Sequence, residues 1–214
     1  MPKHNVITSS PEDAKELSRL IFASGQETFE KVFNPANLDH ATSRQKVLDY
    51  LFISLGQPEG QFGYSNQYII KHDAKVIACG SCWTSSVSDT FKQSTLRSLI
   101  DYFGVLETAV ILNNNTKLAR LIMPPQSDEL GVGHIAVAVQ HRREGLATTL
   151  LEWFKQHAIE SGKRALSLQV VDGNLAALRL YQKFGFERVK LVQPEADAIE
   201  LGLQPHVHMR LELN

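Results

Sequence analysis

Arg142, Arg143, Gly145 and Ala147 fall within the stretch HRREGLATTLLEWFKQHA, just after the apolar run HIAVAV. This order reads as a buried strand passing into an apolar-faced helix. It puts two cations and two minimal side chains at the joint. A helix start carries N–H groups without intrahelical partners and the positive end of the macrodipole. An anion, above all a phosphate, is accommodated there. Gly145 has no side chain and Ala147 only a methyl, so the backbone can come within hydrogen-bond reach of a diphosphate. Leu146, Leu150, Trp153, Phe154 and Ala158 supply the face that fastens the helix to a sheet. The plainer reading is a surface helix start with exposed arginines. There is no Lys-Ser/Thr nucleotide loop and no G-x-G-x-x-G, so neither ATP nor a nicotinamide dinucleotide is favoured.

A second group lies about thirty residues on, in DGNLAALRLYQKFGF. Asn174 reads as an N-cap after the turn residues Asp172 and Gly173. Gly185 reads as the left-handed stop, with Phe186 folding back. On such a helix Asn174, Ala177 or Leu178, and Tyr181 share a face, since seven residues make nearly two turns. A cap amide, a small step and a phenol then line one wall of a groove, with Leu180 and Phe184 toward the core. The plainer reading of Tyr181 is a packing tyrosine whose hydroxyl meets a carbonyl.

Two further patterns carry less. Cys79 and Cys82 stand in KVIACGSCW, which reads as a strand. Residues three apart on a strand face opposite sides, so the two thiols can neither bridge nor share a metal. His206 and His208 put two imidazoles on one strand face, but two ligands without a third make no zinc site. No metal is expected.

The positioning elements follow from periodicity and caps. NVITSS is a short strand. Ser10 caps a helix with Pro11 first and Asp13 three residues on, continued by Leu17, Leu20, Ile21 and Ser24. Ser43 opens a second helix with Val47, Leu48, Leu51, Phe52 and Leu55 on one face, stopped by Gly56. QYIIK and KVIACGSCW, joined by HDA, form a hairpin. Residues 88–115 are helical, striped by Leu96, Leu99, Ile100, Phe103 and Val110, until NNNTK interrupts. GHIAVAV, RALSLQVV, FERVKLV and HVHMRLEL are the later strands. This mixture, with antiparallel hairpins at both ends, makes one α+β domain over 1–214.

In these two groups the chain resembles the GNAT superfamily of acyl-CoA-dependent N-acetyltransferases. RREGLA after HIAVAVQH matches the first signature, and NLAALRLYQKFGF the second; the strongest match covers 133–190. The resemblance implies a mixed, mostly antiparallel central sheet flanked by helices, with 85–128 as a helical insertion between the third and fourth strands and 133–190 as the acyl-CoA-binding half. It implies acetyl-CoA as acyl donor, its pyrophosphate on the amides of Arg142, Arg143, Glu144, Gly145, Leu146, Ala147 and Thr148. The pantetheine arm is expected along backbone groups of Val137 and Val139, with Val137 a candidate to polarise the thioester carbonyl. Asn174 and Ala177 are expected to meet the arm from the other side, and Tyr181 to be the general acid for the departing thiolate. Arg143 departs from the glycine that many relatives carry.

That acid role suits the chemistry: a thiol near 8.5 leaves more readily when a phenol near 10 donates to it. An amine needs no covalent enzyme intermediate, so proximity and carbonyl polarisation carry the reaction. It does need to lose a proton. His134, Glu129 and Glu27 are the candidate bases, beside a water relay. Gly131 and Gly133 occupy positions where some relatives place a histidine. The acceptor is a primary amine of a small molecule or peptide, and the helical insertion would roof its pocket.

Composition bounds the alternatives. A net charge of −1 over 214 residues gives no footprint for nucleic acid. No apolar run approaches the roughly 18 residues of a membrane span, and MPKHNVITSS lacks a signal-peptide core; the cytoplasm is the expected compartment. A second copy of the chain stays open as a partner. Two other function classes stay open as well: a non-catalytic acyl-CoA-binding regulatory domain, and a module that binds a partner through the insertion.

Overall fold

The computed structural model describes residues 5–213. Seven strands form one sheet: β1 Val6–Thr8, β2 Gln67–His72, β3 Lys75–Trp83, β4 Glu129–Val137, β5 Ala165–Val171, β6 Glu187–Val192 and β7 His206–Glu212. Their order is β1-β2-β3-β4-β5-β7-β6, and every neighbouring pair is antiparallel except β4 with β5. The α+β class and the mostly antiparallel sheet are as expected. The long helix lies between β3 and β4, where the insertion was expected.

Three helices, not two, precede β2: α1 Ala14–Ser24, α2 Gln26–Val32 and α3 His40–Leu55. The break at Gly25 puts Glu27 in the first turn of α2 rather than near the end of one long helix. Ser43 does not open α3. Asp39 does, its carboxylate accepting from the N–H groups of Ala41 and Thr42, and Ser43 is buried inside the helix. The Ser10 start is as read: its N–H donates to the Asp13 carboxylate at 3.0 Å, which also pairs with Lys71 at 2.6 Å. At the hairpin, Asp73 and Ala74 both take positive φ, 48° and 63°, the signature of a two-residue type I′ turn.

The long helix α4 spans Asp89–Ala119 and runs straight through Asn113–Asn115. The NNNTK interruption is therefore corrected: three asparagines are poor helix formers but do not break one, and the Asn114 amide is satisfied by the Val32 carbonyl at 3.3 Å. The break falls at Gly104, whose φ of 75° no helix continues through. Leu99, Phe103 and Ile111 face inward, whereas Leu96 and Val110 are exposed. Helices α5 Leu146–Glu160 and α6 Leu175–Phe184 lie in the C-terminal half, and a short α7, Ala196–Glu200, precedes β7.

The sheet separates two apolar layers. Leu17, Ile21, Phe29, Val47, Leu51, Phe103 and Cys79 pack on one face, with α1–α4. Leu146, Leu150, Phe154, Leu178, Tyr181, Val132 and Leu168 pack on the other, with α5 and α6. Each such aliphatic or aromatic side chain removed from water contributes about 1.5–3 kcal/mol. Cys79 belongs to the first layer and Cys82 packs against the second, which is the opposite-face placement expected of residues three apart.

Candidate active site

The parallel ladder between β4 and β5 lasts for three pairs, Glu129–Ala165 to Gly131–Ser167. Beyond them β5 goes on pairing with β7 as far as Val171, and β4 with β3 as far as Val137. The two strands diverge, and one edge of β4 is left open to a gap. Ala138 N–H bonds back to Ile77 of β3 at 2.8 Å. By antiparallel alternation the main-chain groups of Val137, and of Ile135 before it, turn the other way, into the gap. Ile135 was missed in the sequence because its role depends on where the strand bulges. Val139 is no longer strand: it starts a 3-10 turn, Val139–His141, and its side chain is exposed.

Two left-handed residues make the joint from β4 to α5, Arg143 at φ 69° and Gly145 at φ 84°. For Gly145 this costs nothing steric; for Arg143 it is strained. Glycine at both positions would relieve that, which gives the departure at Arg143 a physical meaning. A Cβ on Gly145 would meet nothing within 4 Å, so its neighbourhood is open space. The first N–H of α5 that bonds back is Thr149, to Gly145 C=O at 2.9 Å. Among the described residues, the N–H groups of Arg143, Glu144, Gly145, Leu146, Ala147 and Thr148 have no protein acceptor. Arg142 N–H does, at 3.4 Å to Val139 C=O. Arg142, Arg143, Glu144, Gly145 and Thr148 are exposed. The joint is anchored by Leu146, Leu150, Leu151, Phe154 and Ala158, all buried. Trp153 joins this face as expected, half-buried against the same layer, its ring 4.4 Å from Tyr68 of β2 and stacked on His157 at 5.0 Å.

Across the gap, Asn174 caps α6 as read, its Oδ1 accepting from Ala177 N–H at 3.2 Å. Gly185 takes φ 112°, and Phe186 N–H closes on Tyr181 C=O at 2.9 Å. The buried residues of α6 are Leu178 and Tyr181; Leu180 and Phe184, read as core, are only half-buried. Burial pushes the Tyr181 phenol up to about 12. Its ring packs edge-on to Phe186 with centroids 5.8 Å apart. Its hydroxyl makes no hydrogen bond among the described residues, although a packed tyrosine usually finds one.

The three candidate bases lie apart. Glu129, ahead of the strand read at GHIAVAV, is the first residue of β4 and buried. Its Oε1 accepts from Arg210 Nε at 2.7 Å and its Oε2 from Gln126 N–H at 3.0 Å. It is committed to holding the strand start. Glu27 is exposed at the start of α2 and accepts from Gln204 Nε2 at 2.8 Å. His134 sits at a bulge: Ser81 pairs with Gly133 and Cys79 with Ala136, so β4 has one residue more than β3. The extra residue carries φ 51°. The bulge puts consecutive Gly133 and His134 on the same face, where simple alternation would have parted them. The His134 ring packs beside Phe29 and Phe62, at 5.9 and 5.6 Å, the three rings forming a triangle. Its Nδ1 is 3.4 Å from Ser24 Oγ. Burial holds it down to about 4, as a neutral imidazole.

Gly131 and Gly133 owe their lack of side chain to Trp83. A Cβ at Gly131 would lie 2.8 Å from the indole Nε1, and one at Gly133 2.7 Å from Cη2. His206 and His208 are buried and used internally, with Nδ1 at 2.9 Å from Gln204 C=O and 2.7 Å from Gln169 Nε2. No group of three metal-ligating side chains occurs among the described residues, nor is any helix long and apolar enough to cross a membrane. A groove of about 370 Å³ between α3 and α4 is lined by none of the site residues.

Comparison with known proteins puts this geometry in context. The family model described as acetyltransferase (GNAT) family matches residues 38–186. Over 59 residues the chain is 37% identical to the uncharacterized N-acetyltransferase YobR of Bacillus subtilis (strain 168). That match covers 28% of this chain and 24% of YobR, so the chain spans about a quarter of that curated relative's length. Among solved structures, an acetyltransferase superposes with TM-score 0.67 at 18% identity, over 98% of this chain and 100% of its own. An N-acetyltransferase from Staphylococcus aureus Mu50 gives 0.64 at 16%, over 97% and 100%. The yncA protein of Salmonella typhimurium, solved with its cofactor acetyl-CoA, gives 0.53 at 14%, over 99% and 94%. At these identities the structures share the fold.

Proposed function

Since the chain belongs to the acetyltransferase (GNAT) family, we propose that it is an N-acetyltransferase, moving the acetyl group of acetyl-CoA to a primary amine by direct attack. The observation that carries this reading is the set of six unpartnered N–H groups, Arg143 to Thr148, at the open joint before α5. Six such donors at the positive end of a helix suit a diphosphate, and Arg142 and Arg143 add charge beside it. The pantetheine arm would run along the open edge of β4, on the main-chain groups of Ile135 and Val137. Val139 lies at the rim, and Asn174 and Ala177 on the opposite wall.

An amide of β4 aimed at the thioester oxygen would stabilise the charge that develops there. The amine, deprotonated, adds to the carbonyl carbon. As the intermediate collapses the C–S bond breaks, and Tyr181 donates its proton to the sulfur. A phenol held at about 12 is fully protonated at neutral pH, as a donor must be. The proton lost by the amine has His134 as its nearest neutral acceptor on β4. With so low a pKa it relays a proton onward to solvent rather than holding it. Glu129 is tied to Arg210 and Glu27 lies at the outer edge, so both are weaker candidates.

Tyr181 also bears on the regulatory alternative. A domain that only bound acyl-CoA would need the amides but not a phenol kept without a partner. Thiol release from acetyl-CoA in the presence of amines tests the proposal. Tight acetyl-CoA binding without thiol release from any amine would favour the regulatory reading.

A further inference from the structure

Resting on the reading above, we propose that Trp83 determines acceptor specificity, and that the acceptor is a primary amine carrying a flat, uncharged aromatic group. The indole leans from β3 across β4 and lies against Gly131 and Gly133, both of which would collide with it if they bore a Cβ. Glycine in a strand interior weakens the strand. Spending two on one side chain lays that side chain flat. Gly133 directly precedes the bulge residue His134, so the indole ends within about two strand residues, roughly 7 Å, of the main chain of Ile135.

The surroundings of this platform are aromatic and uncharged. The His134 ring sits on the same face, clustered with Phe29 and Phe62. Burial holds His134, His206 and His208 below the ordinary imidazole range. On β4 itself the one carboxylate, Glu129, is paired with Arg210, while Glu27 is exposed at the start of α2 and held by the neutral Gln204 amide. An ammonium group on the platform would therefore find no free counter-charge on β4. A flat ring would find a π face against which to stack. The Trp83 indole is half-buried, and its N–H has no acceptor among the described residues. That N–H still reaches solvent, so an oxygen on the acceptor's ring could take its bond from water.

Thiol release from acetyl-CoA is measured with 2-phenylethylamine, n-butylamine and spermidine, in the natural chain, Trp83→Ala and Trp83→Phe. The expected result is kcat/KM at least tenfold higher for 2-phenylethylamine than for the other two. Trp83→Ala should raise its KM about tenfold, with a smaller change in kcat, and Trp83→Phe should restore most of the loss. A preference for spermidine, or an aromatic preference that survives Trp83→Ala, overturns the proposal. If no amine releases thiol, the transferase reading fails, and the site is still tested through fluorescence. Trp83 is one of two tryptophans, so Trp153→Phe leaves it as the sole indole. Saturable quenching by 2-phenylethylamine in the presence of acetyl-CoA would uphold the aromatic site, and its absence would overturn it.

Discussion

Ser24 Oγ stands 2.6 Å from the Ile21 carbonyl and 3.4 Å from His134 Nδ1. A hydroxyl has one proton, and the shorter contact takes it. The contact with His134 therefore needs the proton on Nδ1, which leaves the Nε2 lone pair available. A serine at the end of α1 thus fixes the tautomer of a histidine on β4.

That histidine gives the first expectation. Burial holds His134 at about 4, below its ordinary 6.5, so the unfolded chain takes up a proton that the folded chain refuses. Stability is full above about pH 6.5 and falls as the pH drops toward 4, by at most about 1.4 kcal/mol per unit for this group. His206 and His208 act in the same direction. Urea unfolding at pH 7, 6 and 5 should show the decline, and His134→Asn should flatten it; an unchanged slope would assign it to other groups.

Tyr181→Phe removes a hydroxyl with no partner, so stability should hold within about 0.5 kcal/mol. Turnover should fall about a hundredfold, while acetyl-CoA affinity stays within about twofold. Isothermal titration beside thiol-release kinetics separates the two, and a matching loss of affinity would contradict the acid role.

At Gly145, alanine would meet no atom within 4 Å but would have to hold a φ of 84°. The expected cost is about 1–2 kcal/mol in stability. Its methyl would also stand where the diphosphate approaches, so acetyl-CoA affinity should fall at least about tenfold. Weaker folding with unchanged affinity would move the phosphate elsewhere.

Gly104 tests the kink in α4. In an unbroken exposed helix Gly104→Ala would stabilise by about 1 kcal/mol. At φ 75° it should instead destabilise by about that much, a difference of sign that denaturant unfolding reads directly.

Cys79 and Cys82, held up to about 12 and about 11 by burial, should both resist an aromatic disulfide reagent in the native protein. They should titrate only after unfolding. Rapid native labelling of either would show that its face of the sheet is open.

Much of this was legible in the sequence where one residue decides a local structure. Gly145 and Gly185 set helix ends by their backbone freedom, and alternation alone separated Cys79 from Cys82. What stayed hidden depends on pairs distant along the chain. The bulge at His134 exists only in register with β3, so neither the face of His134 nor the role of Ile135 could be read from GHIAVAV. The reason for glycine at 131 and 133 lies at Trp83, almost fifty residues earlier. The burial of Glu129 could not be read locally because its partner, Arg210, is eighty-one residues away. The helix through Asn113–Asn115 overrode local propensity because Asn114 found a carbonyl on α2.

The proposed function stands or falls with the amides around Gly145 as the seat of the coenzyme A diphosphate. Amide NMR shifts on adding coenzyme A, with pantetheine as the arm lacking the diphosphate, read that contact residue by residue. Large downfield shifts are expected at Gly145, Leu146 and Ala147 with coenzyme A and little change there with pantetheine. Equal shifts with both, or undisturbed amides in a saturated complex, would contradict it.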